Sequence, residues 1–296
     1  MQTIIEIKNK YQGKIDLFDL ELLIAHAIKK SREFVLAHPQ YKLSSYQTLR
    51  SKYHIWQRSK KKPIAYIVGH KEFYGLDFKV NKNVLIPRPE TELLVGSVFK
   101  KIVSEKNKKK ILVVDVGTGS GNIIISLAKK LQENKSLFFN YQLLAFDISS
   151  QALAIAKYNA KKNKVNKKIK FIKSNLLNYF LKNKKELFKI IHYKLIIVAN
   201  LPYLSQKIYN KSMLDVKNFE PPLALLSKSN GLDHYKKLFK QIKKLQSANC
   251  KLQTFLEISP EQKLEIEQLA RKYFFQPQIK FQKDLAKKWR IMNIRL

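Results

Sequence analysis

Along the first 70 residues, apolar positions recur at helical spacing. Leu17, Leu20, Leu22, Leu23, Ile24, Ala27 and Ile28 are followed by Phe34, Val35 and Leu36, with polar residues between them. That is the pattern of helices that bury one face. Ser45 to Arg58 repeats it with Leu49, Tyr53 and Trp56 as the apolar positions. Pro39 and the run Lys60-Lys61-Lys62-Pro63 punctuate these stretches. The expectation is a small helical bundle over residues 1–70.

From Glu72 the period shortens. Phe73 to Val80 alternates apolar and polar residues, and Asn81-Lys82-Asn83 is a turn signal before Val84-Leu85-Ile86. This predicts a β-hairpin, within a linker over residues 71–90. Pro87-Arg88-Pro89-Glu90 ends the strand. Glu90-Thr91-Glu92 then opens a helix with negative charge at its positive end.

From Lys110 onwards, strand and helix patterns alternate. Candidate strands are Ile111–Val116, Gln142–Phe146, Lys170–Lys173, Leu195–Ala199, Lys251–Ile258, Gln278–Gln282 and Arg290–Arg295. Helical patterns lie at Gly121–Leu131, Ser150–Lys162, Leu232–Leu245 and Pro260–Tyr273. Such alternation predicts an α/β domain over residues 91–296, with a seven-stranded, mostly parallel sheet covered by helices on both faces. Only a loop separates the last two strands, so they pair antiparallel. The lysine-rich segments Lys106–Lys110, Lys161–Lys170 and Lys182–Lys185 read as solvated loops and helix ends.

Composition narrows the function classes. The chain of 296 residues is 45% hydrophobic and 27% charged, as ordinary globular proteins are. No apolar stretch approaches the roughly 20 residues that cross a bilayer. Met1 to Glu6 shows no basic segment ahead of an apolar core, so the expected location is the cytoplasm. Cys250 is the single cysteine, which excludes an internal disulfide and a cysteine-based zinc site. The six histidines show no ligand spacing, so no metal is expected. Net charge is +36, from 58 basic and 22 acidic residues. A field of that sign favours polyanions such as RNA or the ribosome. The basic residues are mostly lysines scattered along the whole chain among many Ile and Asn, as codon drift in an AT-rich genome produces. Most of the charge is read as drift, with non-specific RNA or ribosome association as its functional remainder.

Two segments carry chemistry. The first is Asp115-Val116-Gly117-Thr118-Gly119-Ser120-Gly121, between a strand and a helix. Glycines allow a tight turn and a close backbone approach to a ligand. The dinucleotide fingerprint needs glycine at position 122, which is Asn122. Spacing G-x-G-x-G after an acid is instead the pattern of S-adenosylmethionine binding. Asp147, at the end of the second strand of the α/β domain, is placed to accept hydrogen bonds from both ribose hydroxyls. Each acid also has a purely structural role open to it: Asp115 as a helix cap, Asp147 as an N-cap with Ser149 and Ser150. Asn175-Leu176 follows the third strand, where an adenine contact falls.

The second segment is Asn200-Leu201-Pro202-Tyr203, after the apolar run Leu195–Ala199. Pro202 cannot continue a central strand. The chain leaves the sheet at its C-terminal edge, where open α/β sheets bind ligands. An Asn amide and a backbone carbonyl there can accept hydrogen bonds from a planar –NH2 group while Tyr203 covers its face.

Taken together these motifs resemble the protein-(glutamine-N5) methyltransferases that modify peptide-chain release factors. The resemblance runs from Pro63 to the C-terminus. It rests on Pro63–Gly69 with Glu72-Phe73-Tyr74-Gly75, on Val84–Glu92, on the glycine loop and on Asn200–Tyr203. Phe219–Leu225 and Gly231-Leu232-Asp233 complete it. The linker motif Ile86–Glu92 is the most specific part. The helical N-terminal part matches in character only. The resemblance implies a class I, Rossmann-like catalytic domain and a helical substrate-docking domain. It implies methyl transfer from S-adenosylmethionine to the side-chain nitrogen of the glutamine in a Gly-Gly-Gln loop, with a release factor as partner. It further implies that Gly117, Thr118, Gly119, Ser120, Gly121, Asp147, Leu176 and Asn200 bind the cofactor. Asn200, Leu201, Pro202 and Tyr203 bind the substrate amide, and Asn200, Pro202 and Tyr203 serve catalysis. The family motif is Asn-Pro-Pro-Tyr, so Leu201 departs from it. Leu176 departs too, from a position that is often aromatic.

Glu220 with Pro221-Pro222 forms either a second wall of the substrate pocket or a structural element. Arg88 positions either the linker or the substrate loop. Two other functions fit parts of the pattern: an adenine-N6 methyltransferase acting on nucleic acid, and a basic RNA- or ribosome-binding protein with a vestigial cofactor site. A dehydrogenase fails at Asn122.

Overall fold

The structure is a computed structural model that describes residues 1–105, 110–134, 141–248 and 250–296. The lysine segment expected as a loop at Lys106–Lys110 lies outside the described residues, apart from its last member. Two compact units emerge: Met1–His70 with Ser212–Phe219, and Lys71–Lys211 with Glu220–Leu296.

The first unit is helical: α1 (Ile4–Tyr11), α2 (Leu17–Ile28), α3 (Arg32–Ala37), α4 (Ser45–Ser59) and α5 (Ile64–Val68). Reciprocal side-chain caps start two of these helices. Thr3 Oγ1 accepts from Glu6 N and Glu6 Oε2 accepts from Thr3 N, and Ser44 and Gln47 repeat the arrangement on α4. Leu20, Leu23, Ile24 and Ile28 of α2 pack with Ile4, Ile7, Val35, Leu43 and Ile55. Glu21 is buried on α2 and pairs with Lys8 Nζ and Arg32 Nη2, each at 2.8 Å. Burial pushes its carboxyl up, but hydrogen bonds from the two cations outweigh burial, and the net shift is downward. The short helix Leu214–Phe219 belongs to this unit, with Asp215 Oδ2 lying 3.8 Å from Arg58 Nη1.

One face differs from expectation. Leu49, Tyr53 and Trp56 of α4 are exposed, at 68%, 54% and 55%. The buried residues of α4 are Ser51, His54 and Ile55. Ser51 enters the interior because its Oγ donates to the Gln47 carbonyl at 2.8 Å, which satisfies the hydroxyl within the helix.

A hairpin of β1 (His70–Phe73) and β2 (Leu76–Lys79) follows, its residues from Lys71 onwards belonging to the second unit. Its turn is Tyr74-Gly75, earlier than the Asn81-Lys82-Asn83 signal predicts. Both turn residues have positive φ, 56° and 70°, as a two-residue hairpin loop with the matching twist requires. Asn81 also makes a turn, its Oδ1 accepting from Asn83 N at 3.0 Å, but Val84-Leu85-Ile86 belongs to no strand.

The sheet that follows has seven strands: β3 (Ile111–Val116), β4 (Tyr141–Asp147), β5 (Ile169–Lys173), β6 (Lys194–Ala199), β7 (Leu252–Glu257), β8 (Gln278–Lys283) and β9 (Trp289–Arg295). Their spatial order is β5-β4-β3-β6-β7-β9-β8. β4–β3, β3–β6, β4–β5 and β6–β7 pair in parallel, while β9 runs antiparallel to both β7 and β8. Both faces of the sheet are buried. Leu112, Val114 and Val116 pack on one side with Tyr235, Leu238 and Phe239, and Ile111 and Val113 pack on the other with Leu94, Val98 and Ile124. The strands therefore read as continuous apolar runs. Helices α6 (Glu92–Val103), α7 (Asn122–Glu133) and α8 (Ser150–Lys162) contribute to the second layer. Chain order reverses direction across the sheet between β3 and β6, which is where open α/β sheets form their ligand crevice. No helix among the described residues is long and apolar enough to cross a membrane.

Candidate active site

Strand register brings the singled-out segments together. Val116 of β3 lies opposite Phe146 of β4 on one side and Ala199 of β6 on the other. The next residue on each strand is Gly117, Asp147 and Asn200. The glycine loop is thus flanked by the acid and the amide at one edge of the sheet.

The loop is held by main chain. Gly117 N and Thr118 N both donate to the Phe146 carbonyl, at 2.8 and 2.9 Å, and Gly121 N donates to Thr118 O at 2.8 Å. Asp115 is fully buried beneath it. Its Oδ2 accepts from Thr118 Oγ1 at 2.6 Å, while Oδ1 has no partner among the described residues. Burial pushes this carboxyl up to about 7. Asp147 Oδ2 accepts from Gly119 N at 2.9 Å, and Oδ1 accepts from Ser149 N at 2.8 Å. Burial raises its pKa as well, against those hydrogen bonds.

These residues fit S-adenosylmethionine. A Cβ built at Gly119 meets only the Gly117 carbonyl, at 4.0 Å, so the loop presents bare backbone to open space beside the Asp147 carboxylate. Each Asp147 oxygen retains a second lone pair for a ribose hydroxyl. Ser120 is buried, with Oγ donating to Asn122 Oδ1 at 3.2 Å. Leu176 is 9% exposed, has φ +52° and packs in the core near Phe146 and Phe180. Its neighbour Asn175 is exposed.

Asn200 leaves β6 half-buried, and its Nδ2 donates to Thr91 Oγ1 at 3.2 Å. That contact leaves Oδ1 as the free end of the amide. Leu201 is 3% exposed and turns inward: a Cβ at Gly117 would stand 3.3 Å from Leu201 Cδ2. Pro202 is half-buried. The Tyr203 carbonyl is already taken by Gln262 Nε2, at 3.0 Å, which also donates to Asn230 O at 2.8 Å. The Tyr203 carbonyl is therefore not available as the motif's main-chain acceptor, whereas no partner is seen on those of Leu201 and Pro202 among the described residues. The Tyr203 ring packs against the core, and burial pushes its phenol well up, so it stays protonated.

Glu220 is 3% exposed and its carboxylate is spent internally. Oε2 accepts from Ile86 N at 3.2 Å, and Oε1 forms a close ion pair with Arg88. Arg88 and Glu220 therefore tie the linker motif to the chain that follows Tyr203. Three residues went unnoticed in the sequence: Thr91, Gln262 and Glu257. Glu257 ends β7 with 2% exposure. An acid closing a buried strand is the signal that points to Asp147, and it is present here too.

Two family models match the chain: a methyltransferase domain over residues 107–287 and the PrmC N-terminal domain over residues 12–69. A release factor glutamine methyltransferase of Clostridium botulinum is 34% identical over 277 residues, covering 94% of this chain and 91% of its own. Another, from Flavobacterium psychrophilum, is 38% identical and covers 89% and 86%. A bifunctional methyltransferase of Rickettsia bellii is 33% identical over 85% of this chain, which spans 46% of that protein. Among solved structures, the N-terminal domain of human METTL16 in complex with SAH superposes with a TM-score of 0.52 at 17% identity, covering 97% of both chains. At that identity the likeness is one of fold.

Proposed function

The chain belongs to the release factor glutamine methyltransferase family, and on that premise we propose a site-by-site account of how it acts. The protein transfers a methyl group from S-adenosylmethionine to a glutamine side-chain nitrogen of peptide-chain release factors. The observation that carries the account is the convergence of Gly117, Asp147 and Asn200 at adjacent strand ends.

When bound, S-adenosylmethionine supplies a methyl on a sulfonium, electrophilic enough to need no covalent enzyme intermediate. The backbone of Gly117–Gly121 holds the cofactor's amino-acid portion, Asp147 the ribose hydroxyls, and Leu176 one face of the adenine. A glutamine amide nitrogen is a poor nucleophile because its lone pair is delocalised. Asn200 Oδ1 and a carbonyl of Leu201 or Pro202 each accept one of its N–H groups. Two fixed acceptors aim the nitrogen and stabilise positive charge as it develops, and one of the two N–H protons then leaves to solvent to give the neutral methylated amide. The protonated Tyr203 covers the amide plane. Residues 1–70 dock the protein substrate, residues 71–90 link, and residues 91–296 carry the chemistry.

Labelled S-adenosylmethionine, incubated with purified release factor or with DNA, tests the reading. Label on the glutamine of the Gly-Gly-Gln loop is expected. Label on adenine would establish the nucleic-acid reaction, and none would leave a binding protein. The +36 charge supports a secondary, non-specific association with RNA or ribosomes in the cytoplasm. Its signature is co-sedimentation with ribosomes that weakens steeply as salt rises.

A further inference from the structure

A buried carboxylate stands directly behind the proposed acceptor. In the parallel pairing of β6 and β7, Ala199 lies opposite Leu256. The next residues are Asn200 and Glu257. Thr91, from the linker motif, completes the group: it is 1% exposed, and its Oγ1 takes the Asn200 Nδ2–H at 3.2 Å. A hydroxyl that accepts at its oxygen still has a proton to give. Glu257 is the acceptor at hand: the register sets it beside Asn200, and the side chains of Thr91 and Asn200 both favour its ionised form. Its Oε2 is buried with no hydrogen-bond partner among the described residues.

An ionised carboxylate can only accept, and an Asn amide has one donating end and one accepting end. With ionised Glu257 beside it and the Thr91 oxygen accepting from it, only the Nδ2 end of the amide is suited to face inward. We propose that Glu257 and Thr91 set the orientation of the Asn200 amide, keeping Nδ2 inward and Oδ1 turned to the substrate. Both are positioning residues, and this inference rests on Asn200 being the substrate acceptor.

The arrangement depends on the charge of Glu257. Protonated, it becomes a donor that can bond Oδ1 and accommodate the flipped amide. Burial pushes its pKa up to about 7, countered by the Thr91 hydrogen bond and by Arg290. Glu90 faces the same group and raises it further, and Tyr203 and Tyr235 are its other ionisable neighbours. Arg290 is itself engaged by Asp284 at 2.7 Å and Glu90 at 3.5 Å. Tyr235 donates to the Glu257 main-chain carbonyl at 2.6 Å, so its phenol does not compete for the carboxylate.

The test measures kcat, KM for release factor, cofactor affinity and melting temperature for wild type, Glu257→Gln, Thr91→Val, Thr91→Ser and Asn200→Ala. Glu257→Gln and Thr91→Val should lower kcat roughly 10- to 100-fold with KM and cofactor affinity unchanged. Thr91→Ser, which keeps the hydroxyl, should restore turnover. Wild-type kcat should fall as pH drops through about 7, the pKa of Glu257, and Glu257→Gln should be flat there. An acid limb undiminished in Glu257→Gln belongs to another buried carboxyl, Asp115 or Asp147, and overturns the inference. So does wild-type kcat in Glu257→Gln, or a loss in Thr91→Ser as deep as in Thr91→Val. Should Glu257→Gln fail to fold, the two Thr91 variants decide the matter alone. Full activity in Asn200→Ala would instead overturn the acceptor assignment. Inactive Asn200→Ala beside wild-type Glu257→Gln sinks only this inference.

Discussion

Leu201 packs its side chain against Gly117, so the Asn200–Tyr203 motif and the glycine loop share one buried contact. The residue that departs from Asn-Pro-Pro-Tyr is a core residue, 3% exposed. Its main chain alone is left to meet a substrate. Leu201→Ala would open a cavity between the two loops, costing about 2–5 kcal/mol. Both cofactor affinity and turnover should fall with stability. A variant that loses stability but binds cofactor as tightly as wild type would show that the loops are not coupled through this contact.

Asn200 and Asp147 flank the same glycine but should separate kinetically. On the proposed account, Asn200→Ala removes an acceptor that matters as the nitrogen attacks the methyl group. It should cut kcat by about two to three powers of ten. Cofactor affinity, measured by calorimetry, should fall far less than turnover, because the glycine loop and Asp147 remain. Asp147→Ala removes hydrogen bonds to a charged acceptor, worth about 1.5–3 kcal/mol, so cofactor Kd should rise roughly 10- to 100-fold. Equal calorimetric affinity in Asp147→Ala would contradict its role at the ribose.

Gly119 and Gly121 both have positive φ, 54° and 81°, but they serve different ends. A Cβ at Gly121 would press on Ile125 Cδ1 at 2.6 Å and Ala156 Cβ at 3.2 Å, both inside the fold. Gly121→Ala should therefore lower the melting temperature sharply. Gly119→Ala pays only the left-handed backbone term, roughly 1–3 kcal/mol. Its methyl would stand in the space left for the cofactor. The expected result is a folded protein that no longer binds S-adenosylmethionine, read by calorimetry beside a melting curve.

The strands were legible because a sheet covered on both faces writes itself as continuous apolar runs, as Leu195–Ala199 does. The order of motifs along those runs then placed Gly117, Asp147 and Asn200 at the strand ends. The buried face of α4 was not legible, because Ser51 satisfies its hydroxyl inside the helix while Tyr53 and Trp56 remain exposed. The hairpin turn was misplaced because two signals stood close together, and the Gly75 pair outcompeted Asn81–Asn83. Thr91 was hidden for a different reason. Its partner Asn200 is 109 residues away, and periodicity carries no information about such contacts.

Arg88 and Glu220 had two readings each, and the geometry separates them. Glu220 sits at 3% exposure with both oxygens occupied, one by Ile86 N and one by Arg88. A carboxylate spent in this way is a poor candidate for a substrate wall. Its work is to hold the linker motif against the chain following Tyr203, and Arg88 makes its charge tolerable there. Arg88→Met should leave a buried anion without its cation and cost roughly 1–3 kcal/mol. Glu220→Gln should be milder, because an amide oxygen can still accept from Ile86 N. The double variant, Arg88→Met with Glu220→Gln, removes the charge along with its partner and should recover part of the Arg88→Met loss. Urea unfolding of the four proteins gives the coupling energy. Additive losses would mean that the pair does not act as a unit, and that Arg88, with a third of its side chain exposed, works on the substrate instead.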